Sequence, residues 1–254
     1  MSKSRFLPLL KKESLEIIRT YKFLILAAVF LFFGLASPLA ARFMPQFLES
    51  MNKQMNIVIQ IPTPTYKDAV LQFTKNISQM ISFVLFFLCM GLVATEKSSG
   101  TAVFVLVKPV SRAKFVLAKL VVLWLAVLIC HVAAALFCYF YTLVLFGELP
   151  LLPFLITNGI LILYLLWLVT LIAFFSMIMN SSAAAAGLSI LTWAVLIFIS
   201  TWGEPGKFSP MALISLSEAP FTGKALYWQP FVILGISLAA LVAGGITLFR
   251  KWEP

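Results

Sequence analysis

A short basic stretch between two long apolar runs holds the residues best suited to chemistry with a partner protein. It begins with Glu96-Lys97-Ser98-Ser99-Gly100-Thr101, continues through the apolar residues 102–107 and ends in basic residues from Lys108 to Lys119. An ordinary positively charged loop explains the lysines and arginines but not the apolar residues. The apolar residues, followed by Pro109, predict a short helix at the membrane interface. Residues 96–115 are therefore predicted to bind a soluble protein through charged and apolar side chains.

The chain lacks the residues that a nucleotide-binding site or a zinc site needs. A phosphate-binding loop needs Gly-Lys-Ser or Gly-Lys-Thr, but the two Gly-Lys pairs continue as Gly206-Lys207-Phe208 and Gly223-Lys224-Ala225. A zinc protease needs at least two histidines, and the chain has only His131. We therefore expect no enzyme, no catalytic residue, no metal site and no cofactor in this chain. Any ATP hydrolysis then belongs to a separate chain.

The elements that position this stretch are membrane spans. The chain is 62% hydrophobic and 11% charged with a mean hydropathy of +1.04, where soluble domains are roughly 25% charged. Six apolar runs are long enough to cross a hydrocarbon core of about 30 Å. Their interiors contain no Asp, Glu, Lys or Arg, so ion-coupled transport lacks its usual intramembrane groups. The predicted spans are 23–41, 77–95, 120–145, 154–178, 184–202 and 229–249.

The basic residues predict the orientation of these spans. Thirteen of the 19 lysines and arginines lie before the first span, between the second and third spans or after the last one. Because basic residues are retained on the inner side, we expect both termini and residues 96–115 to be cytoplasmic. The net charge of +10 follows from this topology, and we expect the lipid bilayer, not nucleic acid, as its partner.

The N-terminal residues 1–22 have the pattern of an amphipathic helix lying in the inner membrane interface. Phe6, Leu10, Ile17 and Ile18 recur roughly at helical spacing among charged residues. A solvated basic tail is the alternative. On the outer side, the segment 203–228 contains an apolar patch at 211–214, which predicts either a re-entrant hairpin or a helix on the membrane surface.

The residues of the basic stretch resemble the permease subunits of ABC-2 type transporters. The Leu10-Lys11-Lys12-Glu13 opening before the first span is similar to the start of that family. The matching positions in the stretch are Glu96, Gly100, Thr101, Leu106, Pro109, Ser111, Arg112, Phe115 and Lys119.

The resemblance implies an all-α integral membrane protein, a single transmembrane domain over 1–254 with six transmembrane helices in 23–249, an interfacial N-terminal helix and a short cytoplasmic coupling helix between the second and third spans. It implies export by two copies, or by this chain and a sibling permease, joined to two ABC ATPase subunits that bind ATP and Mg²⁺. It also implies the plasma membrane of a prokaryote as the location. The implied coupling residues are Glu96, Gly100, Thr101, Phe104, Leu106, Pro109 and Arg112.

Two other functions are compatible with six spans. A substrate-capture subunit resembling those of energy-coupling-factor importers is equally small, but it needs neither an amphipathic N-terminal helix nor the basic stretch. A membrane enzyme is disfavoured because the chain lacks paired acids, bases or metal ligands.

The predicted orientation is tested by labelling a single introduced thiol at Ser98→Cys with an impermeant maleimide. Because residues 96–115 are expected inside, labelling should require opened cells, whereas a thiol at Leu226→Cys should react on intact cells. Reaction of position 98 on intact cells would refute the topology.

Overall fold

The computed structural model of the protein describes residues 6–55, 63–101 and 111–250, with the backbone alone for residues 47–55. The regular structure of these residues is helical throughout. The helices are α1 (Phe6–Arg19), α2 (Lys22–Met55), α3 (Tyr66–Asn76), a π-helix (Ile77–Ile81), α4 (Ser82–Cys89), α5 (Ala94–Ser98), α6 (Arg112–Phe146), α7 (Leu151–Ile178), α8 (Ser182–Ser200), α9 (Gly203–Gly206), α10 (Ala212–Thr222) and α11 (Gln229–Arg250).

Six of the described helical segments are long and apolar enough to cross a membrane, which confirms the predicted number. Their mean hydropathies lie between 2.1 and 2.7. They are span 1 (Lys22–Gln46), span 2 (Tyr66–Ser98), span 3 (Arg112–Phe146), span 4 (Leu151–Ile178), span 5 (Ser182–Ser200) and span 6 (Gln229–Arg250). Spans 2 and 3 begin earlier than the apolar runs indicate, because polar and basic turns of helix continue beyond the hydrophobic segments.

Successive spans run in opposite directions, so that α1, α5 and the turn between spans 4 and 5 meet at one end of the bundle. We call this the connector end, and we call α5 together with the rest of residues 96–115 the connector. Arg112, at the start of span 3, donates hydrogen bonds from its guanidinium to the carbonyl oxygens of Phe249 (3.1 Å) and Arg250 (2.6 Å) at the end of span 6. At the same end, Nζ of Lys12 on α1 donates to Oε1 of Glu96 on α5 at 3.1 Å, so the two elements expected to meet a partner protein lie side by side.

Span 4 is the centre of the bundle. Its most apolar stretch is 72% buried, against 17% in span 5 and 11% in span 6. Trp167 and Tyr164, both on span 4, are among the largest fully buried side chains. Spans 5 and 6 pack against span 4 on one side and leave broad apolar faces exposed, as expected of helices that meet lipid or another membrane protein.

Span 2 is not a uniform α-helix. Its five π-helical residues interrupt the α-helix about halfway along, where an added residue per turn shifts the side chains that follow. The hydroxyl of Tyr164 lies 2.7 Å from that of Ser82 and accepts a hydrogen bond from Nε1 of Trp193 at 2.9 Å. Spans 2, 4 and 5 are thus joined by a buried polar contact within the bundle.

The middle of the segment 203–228 packs into the bundle, whereas both of its ends are exposed. Leu213, Leu216 and Phe221 of α10 are buried, and the hydroxyl of Thr157 on span 4 donates to the carbonyl oxygen of Ser217 at 2.7 Å. This packing shows that α10 contacts span 4 directly.

Spans 1 and 3 cross closely at Gly34, and this contact is testable. A Cβ at Gly34 would lie 2.6 Å from the carbonyl oxygen of Ala134. Gly34→Ala should lower the free energy of unfolding by about 1–3 kcal/mol, since overpacking forces the two backbones apart. Thermal unfolding in detergent measures this. Gly187→Ala is the matched control, because no atom lies within 4 Å of a Cβ there; equal stability of both variants would contradict the close crossing.

Candidate functional site

The connector end contains a buried ion pair built from three separate parts of the chain. Lys119 lies two turns into span 3 with its side chain only 1% exposed. Its Nζ is 2.7 Å from Oε2 of Glu13 on α1 and 2.7 Å from Oε1 of Glu96 on α5. One ammonium therefore joins the N-terminal helix, the connector and a membrane span.

A second lysine, Lys12, completes the network on its more exposed side. Nζ of Lys12 lies 2.9 Å from Oε1 of Glu13, 2.8 Å from Oε2 of Glu16 and 3.1 Å from Oε1 of Glu96. We call Lys12, Glu13, Glu16, Glu96 and Lys119 the charge cluster. With three carboxylates and two ammonium groups, the charge cluster carries one excess negative charge.

The local sequence explains why these side chains converge. Lys12 and Glu16 are four residues apart and lie on one face of α1. Glu13 is one of the two buried residues of this helix. On span 3, Phe115 precedes Lys119 by four residues, and the Lys119 ammonium lies 5.2 Å from the centre of that ring. The ring covers the ammonium and favours it by a cation–π contact.

At neutral pH, the charged forms of Lys12 and Glu16, the two more exposed residues of the charge cluster, favour the packing of α1 against the bundle. Burial alone would lower the pKa of Lys12, but hydrogen bonds to Glu16 and Glu13 raise it above its ordinary value of 10.5. Burial alone would raise the pKa of Glu16, but the charge of Lys119 and a hydrogen bond from Lys12 lower it below 4.5. The contribution of Glu16 to stability is therefore complete above pH 4.5 and is lost as pH falls through the lowered pKa, whereas that of Lys12 is lost only in strong alkali.

The charge cluster borders a small cavity. Its volume is about 210 Å³, and its wall includes Glu16, Lys22, Leu92 and Val122. Oxygens of Glu13, Glu16 and Glu96 come within 4.8 Å of one another, as metal ligands do. Each of these carboxylates already accepts a lysine ammonium, however, so the lysines occupy the place that a cation would need.

The described coupling residues divide into two groups. Glu96 is at the centre of the charge cluster, and Gly100 and Thr101 form the turn directly after α5, where the hydroxyl of Thr101 donates to the carbonyl oxygen of Glu96 at 3.4 Å. Gly100 has a φ of +71°, which favours glycine because it lacks a Cβ. Arg112, the first residue of span 3, is separate from this group and binds the carbonyl oxygens at the end of span 6. Phe104, Leu106 and Pro109 lie outside the described residues.

The buried positions of the N-terminal helix are Leu9 and Glu13, which lie four residues apart on one face. Ile17 packs against the hydrophobic core and Phe6 and Leu10 are half-buried, whereas Ile18 is 59% exposed. Lys12, Glu13 and Lys119 occur in the family-like pattern, but as single charged residues near spans they carry no signal that they meet.

The comparisons with known proteins agree with this architecture. The sequence profile of the ABC-2 family transporter proteins matches residues 7–253, and the chain therefore belongs to that family. It is also 26% identical, over 96% of its own length and 97% of the relative's, to a Bacillus subtilis (strain 168) protein described as the uncharacterized transmembrane protein YxlG. Family membership makes this chain a membrane transport subunit of the permease type and not a catalytic one.

The charge cluster is tested by Lys119→Met, which leaves Glu13 and Glu96 buried without their shared ammonium. Breaking a buried ion pair on one side costs about 3–5 kcal/mol, so thermal unfolding in detergent should shift strongly downward. Lys114→Met is the control, since Lys114 is exposed on the same helix. Adding Glu13→Gln to Lys119→Met should recover part of the loss. Equal stability of the two lysine variants would show that the charge cluster does not hold α1 in place.

Proposed function

We propose that this protein is the permease subunit of an ATP-driven ABC exporter that works as a dimer with separate ATPase subunits. Two copies, or this chain and a sibling permease, form the translocation pathway. The ATPase subunits bind ATP and Mg²⁺ and dock on α1 and residues 96–115. The membrane is the plasma membrane of a prokaryote, and both termini are cytoplasmic.

The observation that carries this proposal is the charge cluster. The N-terminal helix and the connector are the two elements expected to contact an ATPase, and Lys119 binds both of them to span 3. A displacement imposed on either element is thereby passed to a membrane span through short ionic hydrogen bonds, which resist separation in a site that excludes water. A bundle that merely held a substrate would gain nothing from this linkage.

The distribution of charge supports the cytoplasmic placement of the connector end. Lys11, Arg19, Lys22 and Lys114 all lie at that end, in addition to the lysines of the charge cluster. The positive-inside rule favours the cytoplasm for the basic end of a bundle, where a soluble ATPase has access to it.

A cavity on the membrane face supports a shared translocation pathway. It has a volume of about 550 Å³ and lies between spans 2 and 5 and α10, lined by Gln79, Phe83, Trp193, Thr201 and Ser215 among others. Gln79 is an exposed residue of the π-helix, and its amide makes no hydrogen bond to the described residues. Since an amide is unfavourable in lipid, this face is suited to a second permease or to an amphipathic substrate.

The substrate-capture subunit of an energy-coupling-factor importer is the alternative function. Membership of the ABC-2 family supports the permease instead. The alternative also has no need for an N-terminal helix tied by ion pairs to a connector.

Co-purification with the ATPase tests the proposal. The candidate is the ATPase encoded beside this protein, expressed with it and isolated through a tag on the permease. Leu106→Asp and Phe104→Ala should weaken its binding, because apolar anchors that fill pockets dominate such interfaces. Leu226→Asp is the matched control, an exposed leucine in the segment between α10 and span 6, away from the connector end.

Membrane yield of the permease shows that each variant inserts. Binding of the ATPase at wild-type levels by both connector variants would overturn the proposed docking site. Failure of the unmutated permease to bind any ATPase would overturn the proposed function itself.

A further inference from the structure

The connector is also attached to spans 4 and 5, through residues that the charge cluster does not use. Span 2 turns at residues 90–93 before α5 begins, which leaves backbone N–H groups without helical partners. The hydroxyl oxygen of Ser176 on span 4 accepts hydrogen bonds from the N–H groups of Val93 (2.9 Å) and Ala94 (3.0 Å). Ser176 is fully buried, so this contact is sheltered from water.

Lys97 makes the strongest part of this attachment. Its Nζ donates to the carbonyl oxygens of Met177 (3.0 Å), Ile178 (3.2 Å) and Met179 (2.9 Å) at the end of span 4. The last carbonyls of a helix lack partners within the helix and carry its negative dipole, so an ammonium is favoured there. Lys97 is only 7% exposed although it lies near the end of the bundle. A connector residue thus caps a helix about 80 positions further along the chain.

Span 5 is joined to the same point. The hydroxyls of Thr95 on α5 and Ser182, the first residue of span 5, lie 3.0 Å apart. Gly91 makes this approach possible, because a Cβ there would lie 2.3 Å from the Thr95 hydroxyl oxygen. The connector is therefore in contact with both sides of the turn that joins spans 4 and 5.

Two neighbouring residues of α5 consequently hold different parts of the bundle. Glu96 binds α1 and span 3, whereas Lys97 binds the end of span 4, next to the contact of Thr95 with the start of span 5. We propose that Lys97, supported by Ser176, is a positioning residue that makes the turn between spans 4 and 5 move together with α5. This inference rests on the proposed function, in which an ATPase moves the connector.

The consequence lies at the far end of span 5. Trp193 of that span and Thr201, which directly follows the span, line the membrane-face cavity, and Trp193 donates to Tyr164 of span 4. Because helices are stiff along their axes, a shift at Ser182 is carried to these residues. Lys97 thereby connects nucleotide-driven movement of the connector with the shape of the cavity.

The experiment measures the reactivity of a thiol at Thr201→Cys toward a maleimide in the assembled complex, with and without ATP, Mg²⁺ and vanadate. The Thr201→Cys variant without further substitutions should show a nucleotide-dependent change in labelling rate. Lys97→Met should keep ATPase binding but lose this change, and Lys97→Arg should retain part of it. Ser176→Ala should reduce it.

A cross-link tests the same idea without removing Lys97. The pair Thr95→Cys and Ser182→Cys can form a disulfide between the two contacting positions, and oxidation should preserve the nucleotide-dependent labelling of position 201. The disulfide should also restore that response in Lys97→Met, and a reductant should abolish the rescue. A role of Lys97 in stability alone predicts lower yield and thermal stability with no such reversible rescue.

Four results would count against the inference. A full nucleotide response in Lys97→Met, or a response that oxidation of the disulfide pair blocks, would show that α5 and the turn need not move together. If the permease without the Lys97 substitution binds an ATPase but shows no nucleotide response at position 201, movement does not reach the cavity. If no ATPase binds at all, the proposed function fails together with the inference.

Discussion

The buried ammonium of Lys119 is the interaction on which the connector end depends. Without it, two carboxylates from distant parts of the chain would be forced together in a site nearly closed to water. The side chains of Glu13 and Glu96 are only 6% and 13% exposed, so removal of the shared ammonium would leave both largely buried without it. The ion pair therefore sets where α1 lies and how α5 is placed at the end of span 2. Apolar residues of similar volume at all three positions would fill the same space, but they would remove the geometric specificity that fixed hydrogen-bond distances provide.

Span 4 has the corresponding role inside the bundle. It receives α10 at one end through Thr157, span 5 in the middle through Tyr164, and the connector at the other end through Ser176 and its last carbonyls. Packing and interhelical hydrogen bonds drive association of helices in lipid, where no hydrophobic force acts between them. A central helix bonded at three depths therefore keeps its neighbours in register, while the exposed faces of spans 5 and 6 stay free for contacts with lipid or another permease.

The attachments of α5 explain how a helix of five residues can be held firmly. Such a helix is too short to be stable alone, because helix nucleation is unfavourable. Its first N–H groups are bound by Ser176, its Lys97 by span 4 and its Glu96 by the charge cluster. Each attachment belongs to a different part of the protein, so the connector is defined by its surroundings and not by its own sequence. This arrangement makes α5 suited to transmit displacement, since it cannot shift without affecting several helices.

The sequence by itself determined the six spans, the helical N-terminal segment, the missing phosphate-binding loop and the family, because long apolar runs and local spacing are properties of contiguous residues. It also placed Glu96 in the segment of interest. It did not indicate that Glu13 and Lys119, 106 positions apart, share a hydrogen bond, or that Lys97 caps span 4. A basic residue beside an apolar run has the same appearance whether it only orients the protein or is buried against a partner. Only the tertiary structure distinguished these cases, because burial and pairing depend on which span ends meet, and that is decided by helix packing across the whole bundle.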